Sequence, residues 1–172
     1  LEGLVRCVIP NDKVSDKLVH EFLADMKIEY GNRWAEKTRP YPGIPELLDE
    51  LQRRGLKLAV LSNKMDDYTK IIIKTLLPEW KFDIVRGLKE NSPAKPDPTS
   101  ALQIADELKI SPADFLFLGD TDIDMQTANA AGMYAVGVLW GFRTADELKQ
   151  NGAKILIESP LQVLELLNTG KL

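Results

Sequence analysis

The period of the apolar positions changes near residue 40, and the change separates two kinds of sequence. Between residues 15 and 30, Leu18, Phe22, Leu23 and Met26 recur at helical spacing. That predicts an amphipathic helix with Ser15 as its N-cap. Arg39-Pro-Tyr-Pro-Gly-Ile-Pro45 follows, with three prolines between positions 40 and 45. Proline fixes its own φ and pushes the preceding residue out of the helical region, so this segment reads as a stiff connector. Beyond it, short apolar runs alternate with segments of helical period. Pro45 opens a helix with Leu47, Leu48 and Leu51 on its buried face and Gly55 at its end. Strands are predicted over residues 56–61, 82–85, 115–118, 134–139 and 155–157. Helices are predicted over 66–77, 97–108, 122–131, 144–150 and 160–167, with Asp97 as N-cap and Pro98 first in the second of these. The run at 115–118 is wholly apolar, which predicts a strand buried on both faces. Strands separated by helices of about three turns imply right-handed βαβ units and a parallel sheet, an α/β fold.

Composition narrows the picture only a little. A chain of 172 residues fits one domain, or one domain with a small appendage. At 44% hydrophobic and 28% charged it has the balance of an ordinary globular protein. A net charge of −4 leaves no electrostatic footprint for nucleic acid. No basic block marks a membrane surface, and no apolar run approaches the roughly 20 residues that span a bilayer. Cys7 is the only cysteine, so no intrachain disulfide can form and a reducing cytoplasm is the expected compartment. The chain opens at Leu1 with neither an initiator Met nor a signal peptide, and an incomplete N-terminus is expected. The single histidine, His20, lies on the first predicted helix and reads as a surface or packing residue.

Chemistry concentrates where predicted strands end. Phe115-Leu-Phe-Leu-Gly-Asp-Thr-Asp-Ile-Asp-Met125 runs from an apolar strand into Asp120, Asp122 and Asp124. In open α/β sheets ligands bind just beyond the carboxyl ends of strands. Carboxylates this close repel one another, and an oxygen-only donor set favours a hard cation, Mg²⁺ foremost. The alternative is a polar loop with an Asp N-cap on the following helix. Ser62-Asn63-Lys64 ends the strand at 56–61; hydroxyl, amide and helix N-terminus there can bind an anion, or simply cap a helix. Ser92-Pro-Ala-Lys95-Pro-Asp-Pro98 holds a lysine between prolines. Such a rigid charge can meet a phosphate or neutralise carboxylates, or it is a solvated loop lysine.

The order of these segments is more specific than any one of them. An apolar strand with Ser-Asn, then Lys-Pro, then an apolar strand with Gly-Asp-x-x-x-Asp resembles the haloacid dehalogenase-like hydrolase superfamily. The resemblance runs from Tyr41 to Leu167 and is closest to the phosphoglycolate phosphatase branch. Asn63-Lys64 is similar to that branch's Thr-Asn-Lys, and Val138-Leu-Trp-Gly-Phe-Arg143 with Glu147-Leu148 and Gly152-Ala153 is similar to its tail. The resemblance implies a Rossmann-like, three-layer, doubly wound parallel sheet with a partial α-helical cap. Residues 1–38 would be the C-terminal part of the cap and 39–172 the core. It implies that Ser62, Asn63 and Lys95 bind the phosphoryl group. Asp120 would ligate Mg²⁺, and Asp124 would hold metal-bound water or Lys95, while Asp122 is left between ligand and helix cap. The implied reaction is hydrolysis of a small phosphorylated metabolite through an aspartyl-phosphate.

One departure stands against that pattern. The superfamily's Asp-x-Asp-Gly-Thr motif, whose first aspartate is the nucleophile and whose second is the acid and base, has no match here. Of Glu2, Asp12, Asp16, Glu21, Asp25, Glu29 and Glu36, none follows a strand-like run. The missing first strand would stand between the strands at 56–61 and 115–118, which are therefore expected not to pair with each other. A dehalogenase is disfavoured, since it would leave the Gly-Asp-x-x-x-Asp acids without work. A phosphomutase shares this core, and a non-catalytic binding or regulatory protein would fit the absent nucleophile.

Overall fold

The structure, a computed structural model, describes residues 2–10 and 14–168. Two compact units divide between Arg39 and Pro40.

The first unit is helical. α1 spans Glu2–Val8 and α2 spans Asp16–Arg33, with Ser15 capping α2 by accepting from the Leu18 N–H. Val5, Ile9 and Val19 form its small core, with Val14, Leu18, Leu23 and Met26 packed around them. The expected face of α2 is corrected at one position. Phe22 is exposed, and Val19 takes the central buried place. Burial here follows Leu18, Val19, Leu23 and Met26, so Val19 stands on the stripe in place of Phe22. His20 is exposed.

The second unit is built of α3 (Ile44–Arg53), β1 (Ala59–Met65), α4 (Asp66–Leu76), β2 (Ile84–Leu88) and α5 (Thr99–Leu108). Then follow β3 (Leu116–Gly119), α6 (Asp122–Ala130), β4 (Tyr134–Val138), α7 (Ala145–Gln150), β5 (Ile155–Ile157) and α8 (Gln162–Asn168). β1 pairs with β2, and β3 with β4 with β5, every pair parallel, as the alternation of elements required. One apolar cluster joins Ala101, Ala105, Met125, Ala128, Met133 and Leu148 under α5, α6 and α7. A second gathers Leu47, Val136, Val138, Ile157 and Val163 beneath α3 and α8. The two clusters take opposite side chains of β4, Ala135 on one and Val136 and Val138 on the other, so helices cover both faces of that strand.

β1 and β3 are not hydrogen-bonded to each other, as expected. Each ends its own sheet. That explains a correction at 115–118: Leu116 and Phe117 are only half-buried and Leu118 is exposed. A strand with a ladder on one side alone cannot bury its residues as β4 does.

Element ends also differ from expectation. β1 begins three residues later and runs through Ser62-Asn63-Lys64, with its register to β2 broken between Leu61 and Met65. The Ser-Asn pair therefore lies on the irregular last part of the strand, not after it. β2 begins at Ile84 rather than residue 82. α5 starts at Thr99 with Pro98 in the cap position, while Asp97 Oδ1 accepts from the Thr99 N–H at 2.8 Å from outside the helix. At α6 the cap is Thr121, not Asp122.

Candidate active site

β1 and β3 deliver the candidate residues at their carboxyl ends, and Lys95 links them. Its Nζ donates to Leu61 O on β1 at 3.2 Å and to Asp124 Oδ1 on α6 at 2.6 Å. Both side chains of this ion pair are about nine-tenths buried, at 11% and 9% exposure. The ammonium also stands 5.9 Å from the centroid of the Phe117 ring. A lysine between prolines is thus not a solvated loop residue but a buried cation bridging β1 and α6.

Asn63 fixes the backbone of that lysine. Its Oδ1 accepts from the Lys95 N–H at 2.8 Å, and its Nδ2 donates to Lys95 O at 2.9 Å. Both ends of one amide are committed to one residue's main chain. Ser62 Oγ accepts from the Lys64 N–H at 3.1 Å, a local turn bond that leaves its hydroxyl proton available for an anion.

Asp124 is buried and fully engaged. Besides Lys95, its Oδ2 accepts from the Thr121 N–H at 3.1 Å and from Thr121 Oγ1 at 2.6 Å, while Thr121 Oγ1 accepts from the Asp124 N–H. This is a reciprocal capping box on α6. One carboxylate thereby caps a helix and pairs with a buried lysine. Gly119 makes room for it: a Cβ there would lie 2.1 Å from Asp124 Cβ.

Asp120 and Asp122 differ from it. Asp120 Oδ2 accepts from the Phe142 N–H at 3.0 Å, and Oδ1 has no hydrogen bond among the described residues. Asp122 Oδ1 is buried and unpartnered by any hydrogen bond, with Arg143 Nε 3.5 Å away. The open oxygen on Asp120 fits a hard cation in the chemistry of its donor, whereas Asp122 Oδ1 is ion-paired with Arg143. Among the described residues no three acidic, histidine or cysteine side chains converge on one point. Mg²⁺ is commonly held by one or two carboxylates, with water and phosphate oxygens completing its octahedron, so Asp120 is a suitable protein ligand.

The site therefore offers a buried lysine, a free hydroxyl proton and an open carboxylate oxygen on the ends of adjacent elements. Sequence reasoning missed the loop of residues 139–143 as a contributor. Its Gly141 and Phe142 touch Asp120 through the backbone, and an exposed Phe142 side chain carries no pattern that points to it.

The parallel α/β fold thus gathers a serine, a lysine and aspartates near the carboxyl ends of its strands. The chain belongs to the haloacid dehalogenase-like hydrolase family, whose profile matches residues 6–138. It is 35% identical over 141 residues to the phosphoglycolate phosphatase of Aquifex aeolicus, a match that covers 81% of this chain and 65% of that one. A provisionally named phosphoglycolate phosphatase of Lactobacillus delbrueckii subsp. bulgaricus superposes with a TM-score of 0.83 at 31% identity, over 92% of this chain and 66% of that one. A Thermotoga maritima protein provisionally named β-phosphoglucomutase shares the fold, with a TM-score of 0.76 at 21% identity over 99% and 84% of the two chains. The chain spans just under two-thirds of the length of the first two. No helix among the described residues is long and apolar enough to cross a membrane.

Proposed function

We propose that this chain serves a Mg²⁺-dependent phosphatase that hydrolyses a small phosphate monoester of the phosphoglycolate kind. The carrying observation is the Lys95 bridge, because it places a buried cation between the Ser62 end of β1 and the Asp120–Asp124 segment after β3. A phosphoryl group bound there would meet Ser62 Oγ and Lys95 Nζ, both suited to the charge that spreads over equatorial oxygens in the transition state. Asn63 holds the Lys95 backbone, and Asp124 holds its ammonium, so the charge is aimed before substrate arrives. Asp120 would hold the Mg²⁺, while Asp122 pairs with Arg143. The cation supplies neutralisation of repelling anions and orientation of the ester for in-line attack. The attacking carboxylate is assigned to the family's Asp-x-Asp-Gly-Thr motif, which these 172 residues do not contain. A small phosphorylated metabolite is the expected partner, neither nucleic acid nor membrane, and a cytoplasmic setting suits the single exposed Cys7.

Phosphate release by the whole protein from a panel of phosphate esters, with and without Mg²⁺, tests the reading. Turnover should require Mg²⁺ and vanish in Asp120→Asn. Near-normal activity of that variant would remove Asp120 from the site, and isomerisation of a sugar phosphate without phosphate release would favour the mutase reading. A whole protein with no turnover on any ester would be the binding protein that the missing motif allows.

A further inference from the structure

We infer that Gly141 and the Phe142 N–H form a positioning device for Asp120, one that fixes Oδ2 and presents Oδ1 to the cation; this rests on the Mg²⁺ reading above. The loop after β4 folds back on the end of β3 and takes hold of Asp120 at two points. The Phe142 N–H donates to Asp120 Oδ2 at 3.0 Å, and the Arg143 N–H donates to Asp120 O at 3.2 Å. Consecutive amides thus hold the side chain and the main chain of one residue. A carboxylate bonded by a backbone N–H has a settled orientation and one oxygen left to coordinate.

Gly141 permits this approach for a steric reason, not a conformational one. Its φ is outside the left-handed region that favours glycine. A Cβ at position 141 would lie 2.2 Å from Asp120 Cβ, 2.3 Å from Oδ2 and 2.6 Å from Cγ. Contacts of that length do not occur, and the nearest atom is the root of the Asp120 side chain, so rotating the carboxylate alone does not relieve it. Any side chain at 141 must push the loop or Asp120 aside. The residue that supplies the amide contributes nothing by its ring, since Phe142 is 86% exposed. The device is therefore made of a missing Cβ and a main-chain donor.

The test is calorimetric titration of the intact protein with Mg²⁺ alone, alongside thermal unfolding. Gly141→Ala should weaken Mg²⁺ at least tenfold. Phe142→Pro removes the donor and should weaken it similarly, whereas Phe142→Ala keeps the N–H and should bind as wild type. In the unsubstituted protein, the Phe142 amide resonance should shift along the Mg²⁺ binding curve, a measurement that depends on no variant folding. Gly141→Ala binding Mg²⁺ within twofold of wild type, or a Phe142 amide unmoved by saturating Mg²⁺, overturns the inference. Should wild type bind Mg²⁺, Asp120→Asn fail to bind and Gly141→Ala bind normally, this inference alone falls. Should wild type not bind Mg²⁺, or Asp120→Asn bind it unchanged, the Mg²⁺ reading falls with it.

Discussion

Lys95 Nζ and Asp124 Oδ1 lie 2.6 Å apart, and both side chains are about nine-tenths buried. Removing one partner of a buried pair strands the other charge, at a cost of roughly 3–5 kcal/mol. Lys95→Met should therefore lower the urea midpoint substantially, and phosphatase turnover should collapse with it. Adding Asp124→Asn to Lys95→Met should recover part of the stability but none of the turnover. A double variant no more stable than Lys95→Met would show that the pair is not coupled in the folded protein.

Asn63 separates positioning from binding. Its two hydrogen bonds to Lys95 are exposed, so Asn63→Ala should cost only about 1 kcal/mol of stability. The effect on rate should be larger in proportion, roughly tenfold in kcat, which corresponds to about 1.4 kcal/mol of transition-state energy. Such a loss with little change in KM would mark Asn63 as the holder of Lys95. A rise in KM at constant kcat would instead put the Asn63 amide in direct contact with the substrate phosphate.

How far the sequence alone could reach is clear from these residues. Local period located every strand and α-helix of the second unit, because burial there follows nearest-neighbour spacing. The residue types at the site were visible as well: serine, lysine and aspartates after apolar runs. Their commitments were not. Asn63 meets Lys95 across 32 positions, and Asp120 meets Phe142 across 22, through main-chain atoms that every residue possesses. The division of labour among Asp120, Asp122 and Asp124 was equally illegible. It depends on Thr121, which took the cap and drew in Asp124, leaving Asp122 at the first helical position with an oxygen that no hydrogen bond reaches. Phe22 shows the remaining gap, since period assigns a face but not which member of that face a small unit has enough partners to bury.

Acid should loosen the start of the β1–β2 pair. Asp83 accepts from Lys57 Nζ at 2.8 Å and from the Leu58 N–H at 3.0 Å, and its own N–H donates to Leu58 O. The Lys57 hydrogen bond first, then the Leu58 amide, holds its carboxyl below the ordinary value of 3.8. A carboxyl depressed on folding contributes stability that is present above that ordinary value and is lost as pH falls through the lower folded value. Unfolding midpoints should thus be level from neutral pH down to about 4, then fall. Asp83→Asn should start lower at pH 7 and show a shallower acid loss. Parallel pH curves for the two proteins would rule Asp83 out as a source of acid sensitivity.

Gly119 provides the sharpest steric test of how the site is packed. A Cβ at this buried position would lie 2.1 Å from Asp124 Cβ, 2.6 Å from Cγ and 3.0 Å from Oδ2. Overpacking of a closed core costs about 1–3 kcal/mol, and here the displaced group also carries the bond to Lys95. Gly132 supplies the contrast. It has φ +70° and nothing within 4 Å of where an added methyl would stand, so Gly132→Ala should lose only the left-handed penalty of about 1–2 kcal/mol. Gly119→Ala should exceed that loss and should also abolish turnover, whereas Gly132→Ala should leave turnover intact. Asp124→Ala would remove Cγ and Oδ2, two of the three atoms that the new methyl strikes, while keeping Cβ. Gly119→Ala combined with Asp124→Ala should therefore be less destabilising than the sum of the two, as contacting sites are. Strict additivity would show that the close approach of Gly119 to Asp124 does not persist in solution.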